Sequence, residues 1–139
     1  MARTLDMKFI RYLNLFERVT KIRIQHCFLY NTGIVFVVPK EKMSRALGEA
    51  GKNVKKLSEI LEKKVKIIAA PSGIEEIEDF ILSITYPVKF KNLEVKDDCV
   101  VISAGLQSRA ALIGRDKKRL NEMKDILFQY FGIKDLRIA

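Results

Sequence analysis

The sequence predicts an α+β protein made of two tandem αββααβ units, each a three-stranded sheet with helices packed on one face. Three observations carry this. Apolar residues switch between a period near 3.6 and a period of 2 along the chain, the order of those segments is run through twice, and the two runs align at an offset of 66 residues. At that offset Gly48 falls on Gly114, Leu47 on Ile113, Val54 on Leu120, Leu57 on Met123, Ile60 on Ile126 and Leu61 on Leu127. A short tag, Ser44-Arg45-Ala46 and then Ser108-Arg109-Ala110, recurs with a slip of two.

The first unit opens with an amphipathic helix over 3–18, its apolar face formed by Leu5, Phe9, Tyr12, Leu13 and Phe16. Residues 21–25 alternate polar and apolar as a strand does, and Asn31-Thr32-Gly33 signals a turn into a doubly buried strand, 34–38, stopped by Pro39. A short helix over 40–47 ends at Gly48. A second begins after Gly51 with Val54, Leu57, Ile60 and Leu61 on one face, and a strand over 64–69 closes the unit. Pro71-Ser72-Gly73 marks the boundary, giving domains 1–70 and 71–139, with Ser72 and Glu75 placed to cap the next helix. That helix, 74–84, directs Ile74, Ile77, Phe80, Ile81 and Ile84 to one side. Strands over 88–95 and 99–104 follow, then helices over 106–113 and 118–131, and a last strand over 133–138.

The composition excludes several function classes. With 139 residues, 48% hydrophobic and 31% charged, the chain has material for a packed core. Its longest apolar runs are far too short to cross a bilayer, and residues 1–11 mix charges among apolar positions with no signal-peptide core, so a cytoplasmic protein with no membrane partner is expected. Cys27 and Cys99 form no CxxC pair and only one histidine, His26, is present. Neither a zinc site nor any other cofactor is expected, and both thiols read as buried. His26 has no catalytic partner, and no nucleophile elbow, Walker loop or carboxylate cluster appears, so an enzyme is not expected. The formal charge of +9 favours a polyanionic partner. It is concentrated: residues 1–69 hold 15 Lys/Arg against 6 Asp/Glu, whereas residues 70–139 hold 11 of each.

Between the two short helices of the first unit stands Gly48-Glu49-Ala50-Gly51, followed by Lys52, Asn53, Lys55 and Lys56. A GxxG turn between helices with a basic second helix is the device by which KH domains clamp about four nucleotides of single-stranded nucleic acid. Glycines let the main chain bend and a sugar-phosphate strand come close, and the following helix offers amide hydrogens and a positive dipole end. The lysines add cations, and Asn53 is a candidate to bond a base or ribose; Val54 and Leu57 are candidates for an apolar floor. Glu49 is unfavourable near phosphate, by on the order of 1 kcal/mol when screened by solvent. In the second unit the run is Gly114-Arg115-Asp116-Lys117-Lys118-Arg119. Lys117 replaces the second glycine, and is expected either to obstruct the strand or to force a different turn. The alternative for either loop is a tight helix-helix turn with hydrated charges.

The 47–57 run and the tail 128–138, Phe-Gln-Tyr-Phe-Gly-Ile-Lys-Asp-Leu-Arg-Ile, together with Leu15-Phe16-Glu17, Thr20, Cys27 and 34–38, resemble the archaeal form of the transcription termination and antitermination factor NusA. That family form is a chain of two type II KH domains without the polymerase-binding and S1 domains of the bacterial factor. The family pattern in the first loop is Ile-Gly-Lys-x-Gly, where this chain has Leu47-Gly48-Glu49-Ala50-Gly51. The resemblance implies a single-stranded RNA-binding transcription factor, a monomer that meets the nascent transcript and RNA polymerase, with RNA along Gly48 to Lys56 and along Gly114 to Arg119. Few aromatics are placed to stack bases, so weak sequence selectivity is expected. Two competing readings remain open at this point: a degenerate KH surface that binds polymerase or ribosomal proteins, and a ribosome-assembly factor using the same groove.

Overall fold

A computed structural model describes residues 7–139, and the chain divides into two compact units between Ala70 and Pro71. In the first unit helix α1 (Met7–Thr20) leads to strands β1 (His26–Tyr30) and β2 (Gly33–Val38). A single 3-10 turn (Lys40–Lys42) runs into α2 (Met43–Leu47). A second (Glu49–Gly51) joins α2 to α3 (Lys52–Leu61), and β3 (Val65–Ala69) follows. The second unit repeats the order: a 3-10 turn (Ile74–Glu76) into α4 (Ile77–Thr85), then β4 (Asn92–Lys96), β5 (Cys99–Ser103), α5 (Leu106–Ile113), a 3-10 turn (Arg115–Lys117), α6 (Lys118–Phe131) and β6 (Asp135–Ile138).

Each sheet has the same mixed topology. The middle strand pairs antiparallel with the strand before it and parallel with the strand after the helix pair, in the orders β1-β2-β3 and β4-β5-β6. The parallel pairing demands a crossover, and the two helices that supply it are the ones joined by the glycine loop. In the first unit Phe16, Ile22, Cys27, Ile34, Phe36, Val38, Leu57, Val65 and Ile67 form the core under the helices. In the second, Ile77, Phe80, Ile81, Ile84, Val100, Ile102, Leu112, Met123, Ile126, Leu127 and Leu136 are buried.

Several boundaries differ from expectation for identifiable reasons. The helix predicted over 3–18 runs on to Thr20, and its first residues, 3–6, lie outside the described residues. It ends where Thr20 Oγ1 donates to the Phe16 carbonyl at 2.8 Å and accepts from the Ile22 amide at 3.1 Å, with Lys21 at φ 64°. The predicted strand over 21–25 is not one. Ile22 and Ile24 are buried and their neighbours exposed, but the segment is extended chain packed on the core without a ladder, and pairing begins only at His26. The strand expected from residue 88 begins at Asn92, because the Val88 amide is held in a turn on the Thr85 carbonyl. Ile60 and Ile74, assigned to buried helix faces, are 51% and 47% exposed. The Ser72–Glu75 cap is replaced by Glu76, whose Oε1 accepts from the Ser72 amide at 2.7 Å. Cys27 is buried as expected, but Cys99 is only partly so.

Candidate nucleic-acid interface

Helix α2 ends because Gly48 takes φ 76°, ψ 171°, a region open essentially to glycine alone. Its amide still donates to the Ser44 carbonyl at 3.1 Å. The chain then turns through two successive left-handed residues, Ala50 (φ 55°, ψ 28°) and Gly51 (φ 70°, ψ 23°), and α3 starts at Lys52. The Gly51 amide closes the turn on the Gly48 carbonyl at 3.1 Å.

The two glycines do different work. A Cβ on Gly48 would lie 2.9 Å from Asn53 Nδ2 and 3.0 Å from its Cγ, so this position needs glycine for conformation and for room. A Cβ on Gly51 would meet nothing within 4 Å. The space beside Gly51 is open, and its left-handed conformation costs an ordinary residue only about 1 kcal/mol. The first glycine builds the loop; the second leaves a bare patch of main chain on its surface.

Asn53 is placed by this arrangement away from the role expected for it. Its Nδ2 donates to the carbonyls of Ala46 at 3.0 Å and Arg45 at 3.4 Å, satisfying the free carbonyls at the end of α2 and tying the two helices together across the loop. Leu57 is fully buried in the core and cannot floor a groove, whereas Val54 is partly exposed. Lys52, Lys55 and Lys56 are all exposed on α3, as are Glu49 and Ala50. Arg45, read in the sequence only as part of the repeated Ser-Arg-Ala tag, is also an exposed cation, on the last turn of α2.

The second loop has the same conformation. Gly114 adopts φ 75°, ψ 172° and Asp116 φ 55°, ψ 28°, while Lys117 takes φ 61°, ψ 23° in the place of Gly51. Lys117 therefore does not force a different turn. Arg119, which aligns with Asn53, donates from a guanidinium nitrogen to the Ala111 carbonyl, the counterpart of Arg45, at 2.8 Å, so a different side chain ties the helices at one of the two carbonyls that Asn53 reaches. A Cβ on Gly114 would come within 2.9 Å of Arg119 Cγ. Arg115, Lys117 and Lys118 are exposed. Arg115 and Lys118 border a surface depression of about 570 Å³, lined also by Asp116, Asn121, Glu122 and Asp125. Asn121 and Glu122 align with Lys55 and Lys56, so the helix wall beside the second loop has lost two cations and gained an acid.

Among the described residues no group of three His, Cys, Asp or Glu could hold a metal ion, and no helix is long and apolar enough to cross a membrane.

No family model matches the chain. Curated relatives do. It is 28% identical to "Probable transcription termination protein NusA" of Methanococcus vannielii, over 97% of this chain and 79% of that protein. It is 25% identical to the protein of the same name from Halococcus morrhuae, over the full length of both. The Halobacterium salinarum protein of that name is 23% identical over 89% of each chain. Among solved structures, "Crystal structure of APE1850" superposes with a TM-score of 0.62 at 25% identity, covering 97% of this chain and 100% of that one. The chain is thus similar over nearly its whole length to archaeal NusA-type proteins, as its loop and tail motifs imply, and its architecture fits two tandem KH-like αβ units.

Proposed function

We propose that the chain is a single-stranded RNA-binding transcription factor, cytoplasmic and non-catalytic, that meets the nascent transcript during elongation and acts in termination or antitermination beside RNA polymerase. The observation that carries this reading is the first loop. Gly51 leaves main chain bare at the start of α3, and Lys52, Lys55 and Lys56 stand exposed along the same helix. Bare main chain lets a sugar-phosphate strand come close, and lysines on the helix wall add affinity as counterions are released. The names of the relatives supply the transcriptional setting. Gly48, Gly51, Lys52, Lys55 and Lys56 are the proposed RNA contacts, with Glu49 and Ala50 at the turn and Asn53 holding the loop in shape. In the second unit Gly114 and Arg119 play the corresponding structural parts.

The test is filter binding of the full chain to random-sequence RNA 12-mers at several salt concentrations. Three lysine–phosphate contacts give a slope of log K against log salt of roughly −2. Gly51→Asp puts a carboxylate in the open space beside the loop. It is expected to abolish binding with the far-ultraviolet circular dichroism unchanged, because Lys117 shows that a side chain is accommodated in this conformation. Binding that survives Gly51→Asp removes the interface from the first loop.

A further inference from the structure

We infer that the outer edge of β4 docks a second copy of this chain, the two strands running antiparallel in a register centred on Val95. The inference is independent of the RNA-binding reading. It starts from the way the main chain of the second sheet faces. The amides of Asp135 and Ala139 donate to the carbonyls of Asp98 and Ile102, so Asp98, Val100 and Ile102 turn their main-chain groups toward β6. Cys99, Val101 and Ser103 then turn theirs toward β4, where they meet Lys96, Glu94 and Asn92. Alternation leaves the amides and carbonyls of Leu93 and Val95 directed outward, and among the described residues nothing pairs with them.

This edge is uncovered. Asn92, Glu94, Val95 and Lys96 are exposed, Val95 to 40%, whereas the aligned strand of the first unit, β1, is mostly buried. At the 66-residue offset the buried Phe28 and Tyr30 become Glu94 and Lys96. Charges on an edge strand commonly guard it against pairing. Here they alternate in sign: Lys96 Nζ lies 3.4 Å from Glu94 Oε2 within the strand, so the edge offers a cation and an anion to whatever lies beside it.

Symmetry and hydrogen bonding restrict the occupant. Two copies related by a two-fold axis bring their outward groups opposite each other only if the axis passes Leu93 or Val95. Centred on Leu93, Glu94 would meet Asn92, and Val95 would meet Lys91, whose amide is drawn out of register to the Ser103 carbonyl. Centred on Val95, that residue exchanges both main-chain bonds with its own mate. Glu94 of each copy then faces Lys96 of the other, with Cα atoms about 4.5 Å apart. Val95 shares a sheet face with the buried Val100, so its mate extends the apolar layer across the joint. A joint one short strand long buries less than the roughly 1,200 Å² of a standard interface. The dimer is therefore weak, with a Kd on the order of 100 μM, and the chain is a monomer when dilute.

The test is sedimentation equilibrium of the full chain from about 10 μM to about 1 mM, at low salt where exposed charge pairs are least screened. The average mass is expected to climb from one chain toward two, and a mass that stays at one chain overturns the inference. Glu94→Lys and Lys96→Glu each set like charges across the joint, and each alone is expected to associate at least about tenfold more weakly than the unmodified chain. Mixed in equal amounts they restore opposite charges at both positions, and the mixture is expected to associate within about threefold of the unmodified chain. A mixture no stronger than the separate variants, or single variants that associate like the unmodified chain, sinks the inference. Val95→Pro removes the amide at the centre of the joint and breaks no bond of the β4–β5 ladder. It is expected to keep the far-ultraviolet circular dichroism and lose the dimer; a folded proline variant that still associates shows that the copies meet elsewhere.

Discussion

In the first unit the loop between α2 and α3 presents a bare glycine and a helix wall of three lysines. In the second unit the same turn presents Lys117, and the aligned wall carries Asn121 and Glu122 beside Lys118. The dihedral angles of the two turns agree to within a few degrees at most positions, and both are pinned by a side chain five residues after the first glycine, Asn53 in one case and Arg119 in the other. The comparison separates two properties that a GxxG motif merges. Conformation is kept by the first glycine and by the clamp, both present in each copy. What stands beside the turn differs: open space at Gly51 against the Lys117 side chain, and the residues of the helix wall.

The largest effect that bears on this division is on stability. Gly48→Ala combines a backbone region closed to alanine with a 2.9 Å approach to Asn53 Nδ2, and is expected to cost about 3 kcal/mol, against about 1 kcal/mol for Gly51→Ala. Urea unfolding of the two variants measures both, and equal costs would mean that the glycines are not divided in role. By the same reasoning Gly114→Asp would damage the fold of the second unit.

The clamp gives an intermediate effect. Asn53→Ala leaves the Ala46 carbonyl without its donor and is expected to cost about 1–2 kcal/mol. Asn53→Arg is expected to recover part of that loss, because Arg119 reaches the Ala111 carbonyl, which aligns with that of Arg45, at 2.8 Å, and to restore RNA affinity along with it. An arginine variant no more stable than the alanine one would show that the two clamps are not equivalent.

The smallest effect contrasts the two sheets. Lys66 pairs with Val35 on β2 just as Arg137 pairs with Val101 on β5. Burial, and then the neighbouring Lys64 charge, hold the Lys66 pKa below its ordinary 10.5. The unfolded chain therefore binds more protons than the folded one in the window just below 10.5, and stability rises as pH climbs through it. Lys66→Met is expected to flatten that alkaline rise in a pH series of urea melts. An unchanged slope would place the titrating group elsewhere.

Much of the architecture was legible because the apolar periodicities were long and were written twice. The spans 106–113 and 118–131 were read to the residue from glycines at their ends. What failed had local causes. Alternation in 21–25 comes from Ile22 and Ile24 reaching the core from an unpaired segment, and periodicity cannot distinguish that from a strand. Ile60 and Ile74 obey helical spacing yet fall at the ends of their faces, where nothing covers them sufficiently. At the loop, the sequence could not divide the labour of the residues it singled out. That Asn53 turns back to two carbonyls, and that Lys117 tolerates a left-handed conformation, are facts of three-dimensional geometry with no signature in spacing.

Strand β2 carries a further consequence. All six of its residues are buried, its two edges are closed by β1 and β3, and the α2–α3 crossover starts from its end. Amide hydrogens at its centre can meet solvent only when the whole first unit opens, so this strand belongs to the slowest-exchanging, most cooperative element of that unit. The glycine turn is thereby mounted on the least yielding part of the scaffold: thermal breathing that frays the helix ends leaves the anchor of the turn in place.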